Sequence, residues 1–378
     1  MKITVNRHST DFVGEYCYTH ARAAVTPSGF GVMTAQPLRL SGSDVFYGMK
    51  MKKSYDFGKS WTELEPCENL KRVSLGDGIE MAMADATPTY HRATDKIILI
   101  GVGTYYQNDN HLKKPRGYRT VYSVYNPECG DFGPLRELEL PPALSEEYFS
   151  CYNGCGQSFE LESGELLIPV IHYSEAAASS PWSSCFCSAV IRASFDGELL
   201  HFEEIGPPLT CDTPRGLYEP SVTELSGEYY LCMRNDLTGY VARGDGLRFS
   251  EPVPLLFDDG ESVGNYNTQQ HWIRGGGKLY IVYTRRGANN DHVFRHRAPL
   301  FIAELDTDTL RVKRSTERIA VPERGARLGN FGCTELSESL SLVVVSEWMQ
   351  TTPPDECNWR RCMEYGSDNS IFVTEIEF

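Results

Sequence analysis

The chain lacks any uninterrupted apolar run near the ~20 residues that a membrane-spanning helix needs, which excludes that class of membrane protein. Its first residues, MKITVNRHSTDF, lack the apolar centre of a secretory leader, so the expected location is cytoplasmic. Basic residues are scarce, 36 Lys and Arg against 51 Asp and Glu, and the net charge of −15 excludes nucleic acid and anionic membranes as expected partners. A small anionic ligand stays open, because inside a cleft a few nearby arginines outweigh distant, screened carboxylates. The 12 cysteines include no CxxC pair; Cys151/Cys155 and Cys185/Cys187 come closest, and buried reduced thiols are expected. No spacing of two histidines and a carboxylate points to a metal, so neither metal nor cofactor is expected. Helical periodicity is almost missing too.

What the chain has instead is short runs rich in Val, Ile, Tyr and Phe, cut by 33 glycines and 21 prolines. DKIILIGVGTYY, GELLIPVIHY, GKLYIVYTRR and LSLVVVSEW are examples, and the fold class they predict is all-β. A longer period lies over them. HARAAVTPSG, DATPTYHRATD, YNGCGQSFELESG, YEPSVTELSG, NTQQHWIRGGG and GNFGCTELSES each open with polar or small residues and run into a turn. Six such units of roughly 50–60 residues predict a six-bladed β-propeller spanning residues 1–378, whose N-terminal strand completes the last blade. A β-sandwich pair or a β-helix would leave the six equivalent openings unexplained.

One turn has a specific signature. In Ser54-Tyr-Asp56-Phe-Gly58-Lys-Ser60-Trp61, the Asp can accept bonds from its own turn's amides, Gly supplies positive φ, and Trp packs between strands. This is the Asp-box (BNR) pattern, and 192–202 and 243–250 look like decayed copies. On that motif and the six-unit layout, the chain resembles the sialidase (neuraminidase) superfamily. The resemblance implies three arginines clamping a substrate carboxylate, an Asp acid, and a Tyr nucleophile activated by Glu. Arg22 in HARAAV, Arg234 in CMRND and Arg297 in RHR match the clamp; Arg297 is preferred to Arg295. Asp44 in SGSDVFYG matches the acid, and Glu219 in YEPSV the Glu. Arg22 and Glu219 each stand seven residues before a turn residue, Gly29 and Ser226, and are expected at equivalent positions near the axis. Guanidiniums suit a carboxylate because they bind it through forked, charge-assisted hydrogen bonds. A carboxylic acid beside the glycosidic oxygen can protonate the leaving group.

The sixth unit, RLGNFGCTEL, departs from the pattern: Asn330 and Phe331 stand where the nucleophilic Tyr is expected. Tyr218 and Tyr266 lie near other unit openings as substitutes or as wall residues. In NYNTQQHW, Gln270, His271 and their neighbours suit sugar hydroxyls, and Asn330 joins them as a binding residue. His292 and His296 read as ordinary strand positions, and Asp85 as a turn or lining residue. The expected function is hydrolysis of an acidic sugar or oligosaccharide, with Asp44 as acid and Glu219 as base. A non-catalytic carbohydrate-binding propeller and a uronate lyase are the alternatives.

Overall fold

The structure, a computed structural model, describes residues 1–40, 44–112, 116–175 and 186–378; Cys185 and the residues just before Asp44 lie outside them. Six antiparallel sheets follow one another along the chain. Blade 1 consists of Tyr16–Val25, Gly31–Arg39, Lys50–Ser54 and Glu65–Pro66, from the inside out. The inner strands of blades 2 to 6 are Ile79–His91, Ser150–Tyr152 with Phe159–Glu160, Tyr218–Leu225, His271–Gly275 and Gly332–Ser337. Neighbouring blades touch in cyclic order. Lys2–His8 pairs with Ile371–Glu377, so the first strand of the chain is the outermost strand of blade 6. The arrangement is the all-β propeller that the repeat predicts. Among the described residues no helix is long and apolar enough to cross a membrane.

Most inner and second strands are buried on both faces, which is why they read as near-continuous apolar runs. Each pair of neighbouring blades encloses its own core. Val32 and Met51 of blade 1 meet Leu99 and Phe132 of blade 2. Cys232 and Val241 of blade 4 meet Trp272 and Ile281 of blade 5. Met33 and Ala35 meet Val344 and Val373 where blade 6 returns to blade 1. Of the cysteines described, Cys17, Cys67, Cys151, Cys155, Cys232 and Cys362 are buried, and all are unbridged.

A second regularity fixes the axis. Near the start of five blades one residue has positive φ: His20 (55°), Asp85 (52°), Cys155 (59°), Glu219 (47°) and Asn267 (51°). In blades 1, 2 and 4 that residue lies in a register shift, between Thr19 and Arg22, Ala84 and Thr87, and Tyr218 and Ser221. A bulge of this kind re-aims a side chain, and left-handed backbone at a non-glycine residue persists only where its surroundings enforce it.

The Ser54–Trp61 turn lies at the other end of blade 1, where the Phe57 amide donates to the Gly29 carbonyl at 3.0 Å. Asp56 accepts from the Ser60 amide (2.9 Å) and the Ser60 hydroxyl (2.6 Å), which hold its carboxyl below the usual range. Trp61 donates to the Gly58 carbonyl at 2.9 Å. Asp196 and Asp245 accept amides in the same turn of blades 3 and 4 without the Trp, and Asp306 does so in blade 5. Replacing Asp56 by Ala removes bonds worth about 1–2 kcal/mol together. A thermal scan should show a fall of a few degrees, with ligand affinity unchanged because the turn is remote from the axial cleft.

Candidate active site

The five positive-φ residues and Asn330 converge at the axis. Asp85, Cys155, Glu219 and Asn330 line an open cleft of about 460 Å³. His20 and Asn267 lie immediately behind, through Nε2 of His20 on the Asn330 amide (2.8 Å) and Asn267 on Arg234 and Arg297. Strand parity carries the pattern one layer deeper. Two residues on stand Arg22, Ser221, Gln269 and Gly332.

Arg22 therefore lies under the floor instead of in the cleft. It is fully buried, and Nε donates to the Phe331 carbonyl at 2.9 Å. Nη1 donates to the Asp85 and Ala86 carbonyls at 2.9 and 3.0 Å, and Nη2 to Gln269 Oε1 at 3.1 Å. Position 332 must be Gly, because a Cβ there would come within 2.7 Å of Arg22 Cγ. The expected equivalence of Arg22 with Glu219 is corrected: His20 is the counterpart of Glu219. Counting back from the turn misled because blade 1 pairs Val25 with Gly31 around a long loop, whereas blade 4 pairs Leu225 directly with Glu228.

Two further expectations are corrected. Gln270 is buried and packs against Gly239, on the face turned away from the axis. His271 faces the axis too deeply: Nδ1 bonds Ser221 Oγ at 2.9 Å and its ring packs on Phe331. Burial and the Arg22 charge push His271 down to about 3, so it stays neutral.

Arg234 and Arg297 form one wall. Nη1 of Arg234 meets Glu219 Oε1 at 2.5 Å, and its guanidinium lies 4.6 Å from the Tyr218 ring centroid. Arg297 is 3% exposed; Nε donates to the Asn267 carbonyl at 3.0 Å and Nη1 to Asn330 Oδ1 at 3.3 Å. Burial, then Arg234 and Arg295, disfavour its charged form. Asp44 also lines the cleft, in left-handed backbone with φ 66°. Its carbonyl accepts the Tyr106 hydroxyl at 2.8 Å.

The residue that sequence reasoning missed is Arg327, three positions before Asn330. Its backbone pairs with Trp348, and its guanidinium lies 3.4 Å from that ring's centroid. It is 3% exposed and lines the cleft, yet its guanidinium has no hydrogen-bond or ion-pair partner among the described residues; Nε is fully buried and unmet. Burial and Arg297 push its charged form out of favour, and Asp44 only partly offsets them. Arg295, also lining the cleft, likewise has no hydrogen bond or ion pair among the described residues, and its guanidinium lies 4.9 Å from the Phe294 ring centroid. Its only signal in the sequence was its place in RHR.

No tyrosine lines the cleft among the described residues. The Tyr218 hydroxyl is bonded to Asp236, and that of Tyr266 to His296 Nδ1 at 2.5 Å. Both are packing residues outside the cleft lining, with their hydroxyls occupied. Asp85 is half-buried; burial, then the Glu219 and Asp44 carboxylates, raise its carboxyl to about 6. His20 Nε2 lies 3.1 Å from Asp85 Oδ1, and burial with Arg22, Arg327 and Arg297 nearby keeps the imidazole neutral. His20, Asp85 and Cys155 bring donor atoms within 4.8 Å of one another, a grouping the sequence did not reveal. Those same arginines would repel a cation there, so the trio fits a metal poorly.

A hollow of about 630 Å³ at the other end of the axis contrasts with this cleft. Its Arg274 and Arg92 are satisfied by Glu335 (2.6 Å) and Glu160 (3.1 Å).

No protein-family model matches the sequence, and no curated protein sequence matches it. Solved structures do. A protein of unknown function from Dyadobacter fermentans matches over 99% of both chains, with a TM-score of 0.66 and 16% identity. A Hadza microbial sialidase matches over 97% of this chain and 67% of its own, with a TM-score of 0.65 and 13% identity. Trypanosoma rangeli sialidase matches over 99% of this chain at a TM-score of 0.65 and 13% identity; the present chain spans 60% of its length. At these identities the likeness concerns architecture, and on that ground the chain has the sialidase-like β-propeller fold.

Proposed function

We propose that the chain is a glycoside hydrolase whose axial cleft binds a carboxylate-bearing sugar. The observation that carries this reading is the buried Arg327 guanidinium, which stacks on Trp348 but has no hydrogen-bond or ion-pair partner among the described residues, in the cleft it shares with Arg297 and Arg234. An uncompensated buried cation is unfavourable unless an anion completes it. A planar carboxylate supplies paired acceptors for such forks. Trypanosoma rangeli sialidase has been solved with sialic acid, which supports an acidic sugar as the substrate class. In this reading Arg327 takes the place that sequence analysis gave to Arg22.

Asp44 is the acid that protonates the departing oxygen. Glu219 is committed to Arg234 and holds that guanidinium in place. Replacing Asp44 by Asn should lower kcat on an aryl glycoside of a sugar acid by roughly 10²–10⁴-fold, the usual worth of general acid catalysis. Binding of the free sugar acid, followed by calorimetry, should survive. Undiminished turnover would remove Asp44 from the mechanism. Asn330, where the family resemblance implies a nucleophilic Tyr, favours a second reading, a binding propeller without catalysis. A product assay on aryl glycosides of sialic, related ulosonic and uronic acids, with neutral controls, separates the two.

A further inference from the structure

We propose that Arg295 reads a second oxyanion on the ligand, so that the cleft prefers a sugar acid that carries a sulfate ester or is linked to another sugar acid. This rests on the carboxylate-binding reading above and extends it from one negative group to two. The cleft holds more guanidinium donors than a single carboxylate can use, since a carboxylate offers only about four lone-pair sites. The terminal nitrogens of Arg327 alone bring enough N–H groups to fill them, and none is bonded among the described residues. Arg234 and Arg297 keep further N–H groups on their terminal nitrogens after meeting Glu219, Asn267 and Asn330. Arg295 is surplus to one carboxylate.

Depth also separates it from the other three. Arg234, Arg297 and Arg327 are 7%, 3% and 3% exposed, whereas Arg295 is half-buried and lies nearer to solvent. The Phe294 ring lines the cleft and carries both Arg295 and Arg327, whose guanidinium carbons lie 4.9 and 5.2 Å from its centroid. Two cations on one ring at different depths suit two anionic groups on neighbouring parts of a ligand. The fork of a guanidinium fits the oxygens of a sulfate ester as well as those of a carboxylate.

The backbone is bent to present this side chain. Arg295 and His296 take left-handed φ in succession, 54° and 53°. His tolerates that region better than most residues, but Arg does not, and such strain persists only where the surroundings enforce it. Asn290 Nδ2 donates to the carbonyls of Arg285, His296 and Ala298 at 2.9, 3.2 and 2.6 Å. His296 meets the Tyr266 hydroxyl through Nδ1 at 2.5 Å and Asp291 through Nε2 at 3.1 Å. These bonds fix the turn, and none of them engages the Arg295 guanidinium. Burial and the Arg234 charge disfavour the cation there, and Asp44 offsets only part of that. A turn held for packing alone would gain nothing from carrying it.

The test is calorimetry on the full chain with sialic acid and with glucuronic acid. Each is offered alone, as a sulfate ester, and as the thio-linked disaccharide of two such acids, which resists hydrolysis. The unmodified chain should bind a two-anion member of one set roughly 30-fold more tightly than the single acid, a usual worth of charge-assisted bonds. Arg295→Gln should lose most of that preference with little change in affinity for the single acid. Arg295→Lys keeps the charge without the fork and should retain part of the preference. Arg295→Gly is at ease with φ 54° and should lose the preference without melting lower. The member preferred tells a sulfate ester from a second sugar acid. Equal affinity across a set that binds overturns the proposal. So does an equal weakening of single and two-anion ligands by Arg295→Gln, which would place Arg295 in the clamp for the first carboxylate. Either result leaves the carboxylate reading standing, whereas no binding of any member overturns both.

Discussion

Replacing Arg327 by Leu should weaken binding of a sugar acid by roughly 30- to 150-fold, while the protein itself becomes no less stable. The affinity loss follows from charge-assisted bonds worth about 2–3 kcal/mol in a desolvated site. The stability side is the discriminating half. Arg327 is 3% exposed and its guanidinium has no hydrogen-bond or ion-pair partner among the described residues, so when the cleft is empty its charge carries a desolvation penalty that Asp44 and the Trp348 ring only partly offset. Leu keeps part of the packing against Trp348 and removes that penalty. Calorimetry with the free sugar acid and a thermal scan of the empty protein together test it. A lower melting temperature with undiminished affinity would make Arg327 a structural stack on Trp348 and deprive the carboxylate reading of its main support.

Arg327 also shows where sequence reading reached its limit. The blades were legible because turns, apolar runs and unit openings all repeat with one period. Arg234, Arg297, Asp44, Glu219 and Asn330, named from the likeness to the sialidase pattern, all line the cleft. Arg327 was not legible, since nothing local marks an arginine whose surroundings are a Trp 21 positions later and a Phe from another blade. Gln270 and His271 failed for separate reasons. From Asn267 the odd offset turns Gln270 off the axis, and the even offset puts His271 beneath the floor. The left-handed residues carried an uneven signal: Asp85 and Asn267 are types that tolerate positive φ, whereas Glu219 and Cys155 adopt it only because the ring enforces it.

Arg22 is the sharpest case, because sequence and structure give it opposite jobs that one experiment separates. As a clamp residue, its loss would abolish binding and leave the fold intact. As the plug seen beneath the floor, its loss strips four donated hydrogen bonds from a dry layer, leaving Gln269 Oε1 unmet while the Asp85 and Phe331 carbonyls keep one donor each, the Cys155 amide and Gln269 Nε2. Stripping one partner from such a buried polar network destabilises by about 3–5 kcal/mol. Arg22→Met should therefore lower the thermal midpoint by several degrees, more than any other substitution considered above. Sugar-acid affinity, measured well below the transition, should change far less than in Arg327→Leu. Gly332→Ala should reproduce the stability loss without touching a charge, because its Cβ would sit 2.7 Å from Arg22 Cγ and displace the plug. If Arg22→Met instead keeps its melting temperature and loses affinity, the guanidinium reaches the ligand after all, and the floor of the cleft must be drawn one layer deeper.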